Sequence, residues 1–185
     1  MKSNLKVILI HGNGGGSSKS HWFPYMENEL KKLGLIVVVR DFPDPIFARE
    51  KYWIPFLEKL KTNENSILIG HSSGAVAAMR FAETHTILGS ILVGACYTDL
   101  NDEEERKSGY YNRPWKWQNI KKNQEWIVQF ASSDDPYIPI QEARYIHEKL
   151  NTEYYEYNNQ GHFTTDSGRD KFPEIIKVIK AKLNL

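Results

Sequence analysis

Gly70-His71-Ser72-Ser73-Gly74 sets a serine between two glycines, where the short apolar run Ile67-Leu68-Ile69 gives way to an Ala- and Met-rich stretch. The order is strand, tight turn, helix, and the spacing G-x-S-x-G is that of a nucleophile elbow. The serine occupies a strained turn, and a side chain at either glycine would strike the neighbouring strand or helix. The free N–H groups and positive dipole end of the following helix then favour negative charge developing beside Ser72. The chemistry this implies is acyl transfer.

A serine hydroxyl needs a base in hydrogen-bond reach, itself oriented by a third group. His162, in Asn158-Asn159-Gln160-Gly161-His162-Phe163, follows the last strand and precedes the last helix, which suits the base. His147 sits in an amphipathic stretch and reads as a surface residue. The acid belongs after the fifth strand, in Ser132-Ser133-Asp134-Asp135-Pro136-Tyr137-Ile138-Pro139. The pattern D-x-x-I-P selects Asp135, leaving Asp134 to cap a turn or helix. For the oxyanion, Ser73 offers one backbone N–H, and the loop after the first strand offers a second from Asn13 or Gly14. His71, Tyr111, Trp115 and Phe163 are expected to line the substrate pocket.

The elements that must hold these residues follow from the apolar pattern. Strands are expected at Leu5–Ile10, Leu35–Val39, Ile67–Ile69, Ile91–Ala95, Trp126–Ala131 and Tyr154–Tyr157. Helical spacing runs from Trp22 to Leu33, over Ala48–Leu60 with Pro55 expected to kink or split it, from the elbow onward, and at about Gln141–Leu150 and Phe172–Leu183. Strands alternating with helices imply a mostly parallel sheet of about six strands with helices on both faces and sites at the strands' carboxyl ends. Residues 98–119 lack an apolar period but carry Tyr110, Tyr111, Trp115 and Trp117. We read them as a partial lid over the site, the alternative being that these aromatics fill the edge of the core.

Composition narrows the function classes. One domain is expected over residues 1–185, and 24 basic against 23 acidic residues give a net charge of +1, without the footprint of a nucleic-acid or anionic-membrane binder. Lys31-Lys32 and Lys121-Lys122 read as solvated faces. The N-terminal apolar run is too short for a signal-peptide core or a span, and a cytoplasmic setting with no membrane partner is expected. The single Cys96 fits a reducing compartment and reads as a small buried hydrophobe. A phosphate cradle in residues 12–20 fails on Asn13 and Ser18, and no H-x-x-x-H pair suggests a metal, so no cofactor is expected.

GNGGG at 12–16, PDP at 43–45, IGHSSGA at 69–75, AMRFAETH at 78–85, SGYYNRPWKW at 108–117, QFASSDDP at 129–136 and GHF at 161–163 together resemble the retinoblastoma-binding protein nine family of small serine hydrolases. The resemblance implies a compact α/β-hydrolase with a triad of Ser72, Asp135 and His162. The function expected is that of a serine hydrolase cleaving small acyl esters, with amides as further candidates, through an acyl-enzyme on Ser72. Where that family carries L-x-C-x-E, this chain reads Leu60-Lys61-Thr62-Asn63-Glu64, so a retinoblastoma-type pocket protein is not expected as partner. The contrasting function is a protein-interaction module on a hydrolase scaffold with vestigial catalysis.

Overall fold

The computed structural model describes residues 4–185. Six strands, β1 Lys6–Ile10, β2 Ile36–Val39, β3 Ser66–His71, β4 Gly89–Val93, β5 Trp126–Ser132 and β6 Glu153–Tyr157, form one sheet in the order β2-β1-β3-β4-β5-β6. Every pairing is parallel. The alternation within β1 sorts the two faces: Val7 and Leu9 pack with α1 (Phe23–Lys32) and α7 (Pro173–Leu183), whereas Ile8 and Ile10 pack with α2 (Glu50–Lys59), α3 (Ser73–Ala82) and α6 (Ile140–Leu150). The chain leaves β1 toward one edge and returns as β3 on its other side, so the loops after β1 and β3 diverge and open a crevice at the carboxyl ends. Among the described residues no helix is long and apolar enough to cross a membrane.

Three sequence expectations change. Pro55 does not split α2; it is exposed, so the acceptor it leaves without a donor faces water. β4 starts two residues earlier than expected and ends before Ala95, because Gly94 turns the chain at φ +57. Residues 98–119 contain two short helices, α4 (Glu103–Ser108) and the start of α5 (Trp117–Lys122). Their aromatics pack on the core rather than hanging over the site. Buried Arg80 of α3 donates to the carbonyls of Tyr110, Arg113 and Pro114 and to Glu83, and its guanidinium lies 3.6 Å from the Trp115 ring centroid. Only the Leu100–Glu105 portion reaches the cavity described below.

Two buried histidines close the ends of β1 and β3. His11 donates through Nδ1 to Gly12 O (2.8 Å) and accepts the Phe42 N–H at Nε2 (3.0 Å), which fixes a neutral ring. His71 donates through Nε2 to His162 O (2.7 Å). Burial lowers the proton affinity of both rings below the ordinary imidazole range, and His162 adds to the effect on His71.

Two tests follow. Between about pH 6.5, where an unfolded imidazole titrates, and the lower native values, the unfolded chain binds more protons than the folded one. Thermal midpoints are therefore expected to hold steady from pH 8 to 7 and to fall progressively from 6.5 to 5; an unchanged midpoint across that interval would contradict neutral buried rings. A Cβ on Gly74 would overlap the carbonyl oxygens of Ile10 and His11, which are backbone and cannot swing aside. Gly74→Ala is expected to cost about 3 kcal/mol in urea unfolding, the upper part of the overpacking range.

Candidate active site

Ser72 stands between β3 and α3 at φ 56, ψ −124, the dihedrals of the first central residue of a type II′ turn and normally a glycine position. Holding a non-glycine residue there costs roughly 1–3 kcal/mol, which the packing around it must offset. Its N–H donates to Val93 O (2.8 Å), and its carbonyl accepts from Ala75 and Val76 N–H, opening α3. A Cβ on Gly70 would overlap the backbone of Gly74 and Ala75, so both glycines of the motif are required by contact. Gly12 passes so near that a Cβ there would lie 3.1 Å from Ser72 Cβ.

His162 and Asp135 come from the loops after β6 and β5. His162 Nδ1 donates to Asp135 Oδ2 at 2.7 Å, with the imidazole 9% and the carboxylate 3% exposed. That bond places the proton on Nδ1 and leaves the Nε2 lone pair available. The other Asp135 oxygen accepts the N–H groups of Tyr137 and Ile138, which lock the carboxylate in place. Gly94 lies behind the pair: a Cβ there would sit 3.1 Å from His162 Cε1. Asp134 is exposed and turned away, accepting from Ser132 Oγ and from the N–H groups of Gln160 and Gly161. It ties the loops after β5 and β6 together, in place of the local cap of a turn or helix expected of it. Ser72 Oγ and His162 share no hydrogen bond in this arrangement, although both line one cavity.

The two amides expected for an oxyanion separate Asn13 from Gly14. Ser73 N–H, at the first position of α3, and Asn13 N–H have no hydrogen-bond partner among the described residues. Gly14 N–H instead donates to Ile46 O at 3.0 Å, which leaves Asn13 N–H as the unengaged one of the two candidates.

The cavity at Ser72 has a volume of about 360 Å³. Asn13, Gly14, His71, Ser72, Ser73 and His162 line it, as do Leu100, Tyr137 and Ile138. Tyr111, Trp115 and Phe163 do not. Tyr111 lies one layer behind, its hydroxyl between Cys96 Sγ (3.1 Å) and Glu105 (3.3 Å). Trp115 donates to Tyr97 O and covers Arg80, and Phe163 is fully buried on the α1/α7 face against Phe172. Adjacent residues point to opposite sides here, so His162 enters the cavity and Phe163, at φ +55, the core. Cys96, Tyr137 and Glu105 are among the liners that escaped the sequence reading. Cys96 is buried as expected but reaches the cavity, where burial raises its thiol far above the ordinary range. Tyr137 carried a signal in D-x-x-I-P; Glu105 carried none, since Asp102-Glu103-Glu104-Glu105-Arg106-Lys107 reads as a solvated charge run.

A family model described as serine hydrolase matches residues 7–181. Serine hydrolase RBBP9 of Rattus norvegicus is 44% identical over 99% of this chain and 98% of its own length. The structure of the ydeN gene product from Bacillus subtilis superposes with a TM-score of 0.89 at 26% identity, covering 98% of this chain and all of that one. A carboxylesterase structure from Nitrososphaera gargenis, at 15% identity and a TM-score of 0.71 over 100% and 91% of the two chains, shares the fold. The six-stranded sheet is thus that of an α/β-hydrolase, and with a family model matched over residues 7–181 and a relative 44% identical from end to end, the chain belongs to the serine hydrolase family.

Proposed function

We propose that this protein cleaves small acyl esters, and amides of similar size, through an acyl-enzyme on Ser72. The observation that carries the reading is the buried His162 Nδ1–H to Asp135 Oδ2 bond of 2.7 Å, sharing a cavity with a serine held in a strained turn. Asp135 fixes the tautomer and stabilises the imidazolium; His162 Nε2 takes the Ser72 proton as Oγ attacks the carbonyl carbon and returns it to the leaving alcohol or amine. The Ser73 and Asn13 N–H groups receive the oxyanion. Water then attacks the acyl-enzyme with the same proton transfers, releasing the acid and restoring Ser72. A cavity of about 360 Å³, at the lower end of ligand pockets, supports short acyl groups over long lipid chains.

A retinoblastoma-type pocket protein is not part of this proposal. Besides lacking the cysteine, residues 60–64 are engaged within the chain: Thr62 Oγ1 donates to Leu57 O, and Lys6 Nζ to Leu60 O and Lys61 O. The single free thiol, Cys96, supports a cytoplasmic setting.

Ser72→Ala is expected to abolish both p-nitrophenyl acetate turnover and labelling by a fluorophosphonate probe, and equal labelling of wild type and variant would overturn the assignment. Asp135→Asn, which favours the wrong tautomer, should lower kcat by about 10³- to 10⁴-fold. Asp134→Asn should stay within about tenfold of wild type, and the reverse ranking of the two variants would reassign the acid.

A further inference from the structure

Glu105 is the carboxylate among the cavity-lining side chains, and the reaction above has no use for it. It sits on α4, and its two carboxylate oxygens are spent on different partners: Oε1 accepts the Asn13 Nδ2–H at 2.6 Å and Oε2 accepts the Tyr111 hydroxyl at 3.3 Å. Tyr111 in turn contacts Cys96 Sγ at 3.1 Å, so the carboxylate is steadied from the rear of the cavity and reaches forward to Asn13. The backbone at Glu105 is fixed too, its N–H on the Asp102 cap and its carbonyl on Ser108 Oγ.

Asn13 needs such an anchor. It lies in Gly12-Asn13-Gly14-Gly15-Gly16, where Gly14 and Gly15 hold φ +66 and +90, a backbone with little intrinsic preference for one geometry. The N–H groups of Gly14 and Gly15 are tied to Ile46 O and Pro45 O, and Asn13 itself is held by His11 Nδ1 on Gly12 O (2.8 Å), the other end of its peptide, and by the Gly16 N–H on its carbonyl at 3.3 Å. Its side chain adds a hold from across the site, through Glu105, 92 residues away in sequence. An oxyanion donor acts by being aimed before the charge arrives, and a displacement of about 1 Å can cost about 10²-fold in rate.

We propose that Glu105 is a positioning residue for the oxyanion site: it grips the Asn13 carboxamide across the cavity mouth and thereby aims the Asn13 backbone N–H at the developing oxyanion. This inference rests on the reading of Ser73 and Asn13 as oxyanion donors. It makes the 98–119 segment part of the catalytic geometry and not only a wall of the pocket.

The test uses p-nitrophenyl acetate, an uncharged substrate, with active protein counted by fluorophosphonate titration and folding checked by thermal melting. Glu105→Ala is expected to lower kcat by about 10- to 100-fold with KM within about twofold of wild type, because the interaction matters in the transition state. Glu105→Gln, whose side-chain carbonyl can still accept from Asn13, should recover kcat to within about threefold of wild type. Asn13→Ala removes the other end of the same bond and carries the test should Glu105→Ala fold poorly; it should match the Glu105→Ala loss, and the double variant should be no slower than either single. A Glu105→Ala kcat equal to wild type, a change confined to KM, or losses that multiply in the double variant would each overturn the inference. Wild-type protein inert toward both ester and probe would instead overturn the reading of Ser72 and this inference with it.

Discussion

The first turn of α3 lies directly on the carbonyls of Ile10 and His11, with no Cβ between them, and the site depends on that contact. Because Gly74 lets the helix start there, Ser72 is forced to φ 56 between β3 and α3 and its side chain is lifted out of the turn. The same closeness brings the loop after β1 alongside Ser72, where Gly12 passes with no room for a side chain. At the far side Gly94 repeats the device under His162. At Gly74 and Gly70 backbone approaches backbone, whose positions a rotamer change cannot shift, while at Gly12 and Gly94 backbone approaches the side chains of Ser72 and His162. The cost of the strained serine is met by the two cores that clamp β1 and β3 from either face.

What the sequence made legible is what has a short-range cause. The continuous apolar strands, the helical spacing of Trp22 to Leu33 and the glycines around Ser72 each follow from local sterics or burial, and the structure reproduces them within about two residues. Asp135 is separable from Asp134 in sequence because Pro136 and Pro139 fix the turn that aims it, and the structure buries the Asp135 carboxylate against His162 while leaving Asp134 in solvent. What stayed hidden depends on contacts distant in sequence. Whether Gly14 or Asn13 keeps a free N–H is decided by Ile46, about thirty residues away, whose carbonyl captures Gly14. Tyr111, Trp115 and Phe163 are expected to line the pocket and do not, because hydrophobicity does not say on which side of a wall a ring lies. Glu105 is camouflaged by its neighbours, being one half-buried carboxylate in a run of six charged residues of which the other five are exposed.

The segment from 97 to 119 is held with unequal strength along its length, and this decides what kind of cover it can be. At its start, the Tyr97 and Thr98 N–H groups and the Thr98 hydroxyl all donate to the Glu142 carboxylate of α6. At its end, the buried Arg80 guanidinium gathers three carbonyls while Trp115 lies across it and Glu83 neutralises it. A guanidinium with its donors so employed is a strong fixture, because removing any acceptor would leave a buried charge short of partners. Between these pins, residues 99–109 depend on exposed pairs such as Arg106–Asp99 and Lys107–Glu104, which contribute little in water. Their links to the interior are the cavity-lining Leu100, the buried Ser108 and the hydrogen bonds of Glu105. The segment is therefore a wall fixed at both ends with a lightly held middle, and that middle carries the carboxylate touching the loop after β1. Low local stability concentrates where few buried contacts resist opening, so the part of this wall easiest to displace is also the part whose displacement would be felt at Asn13.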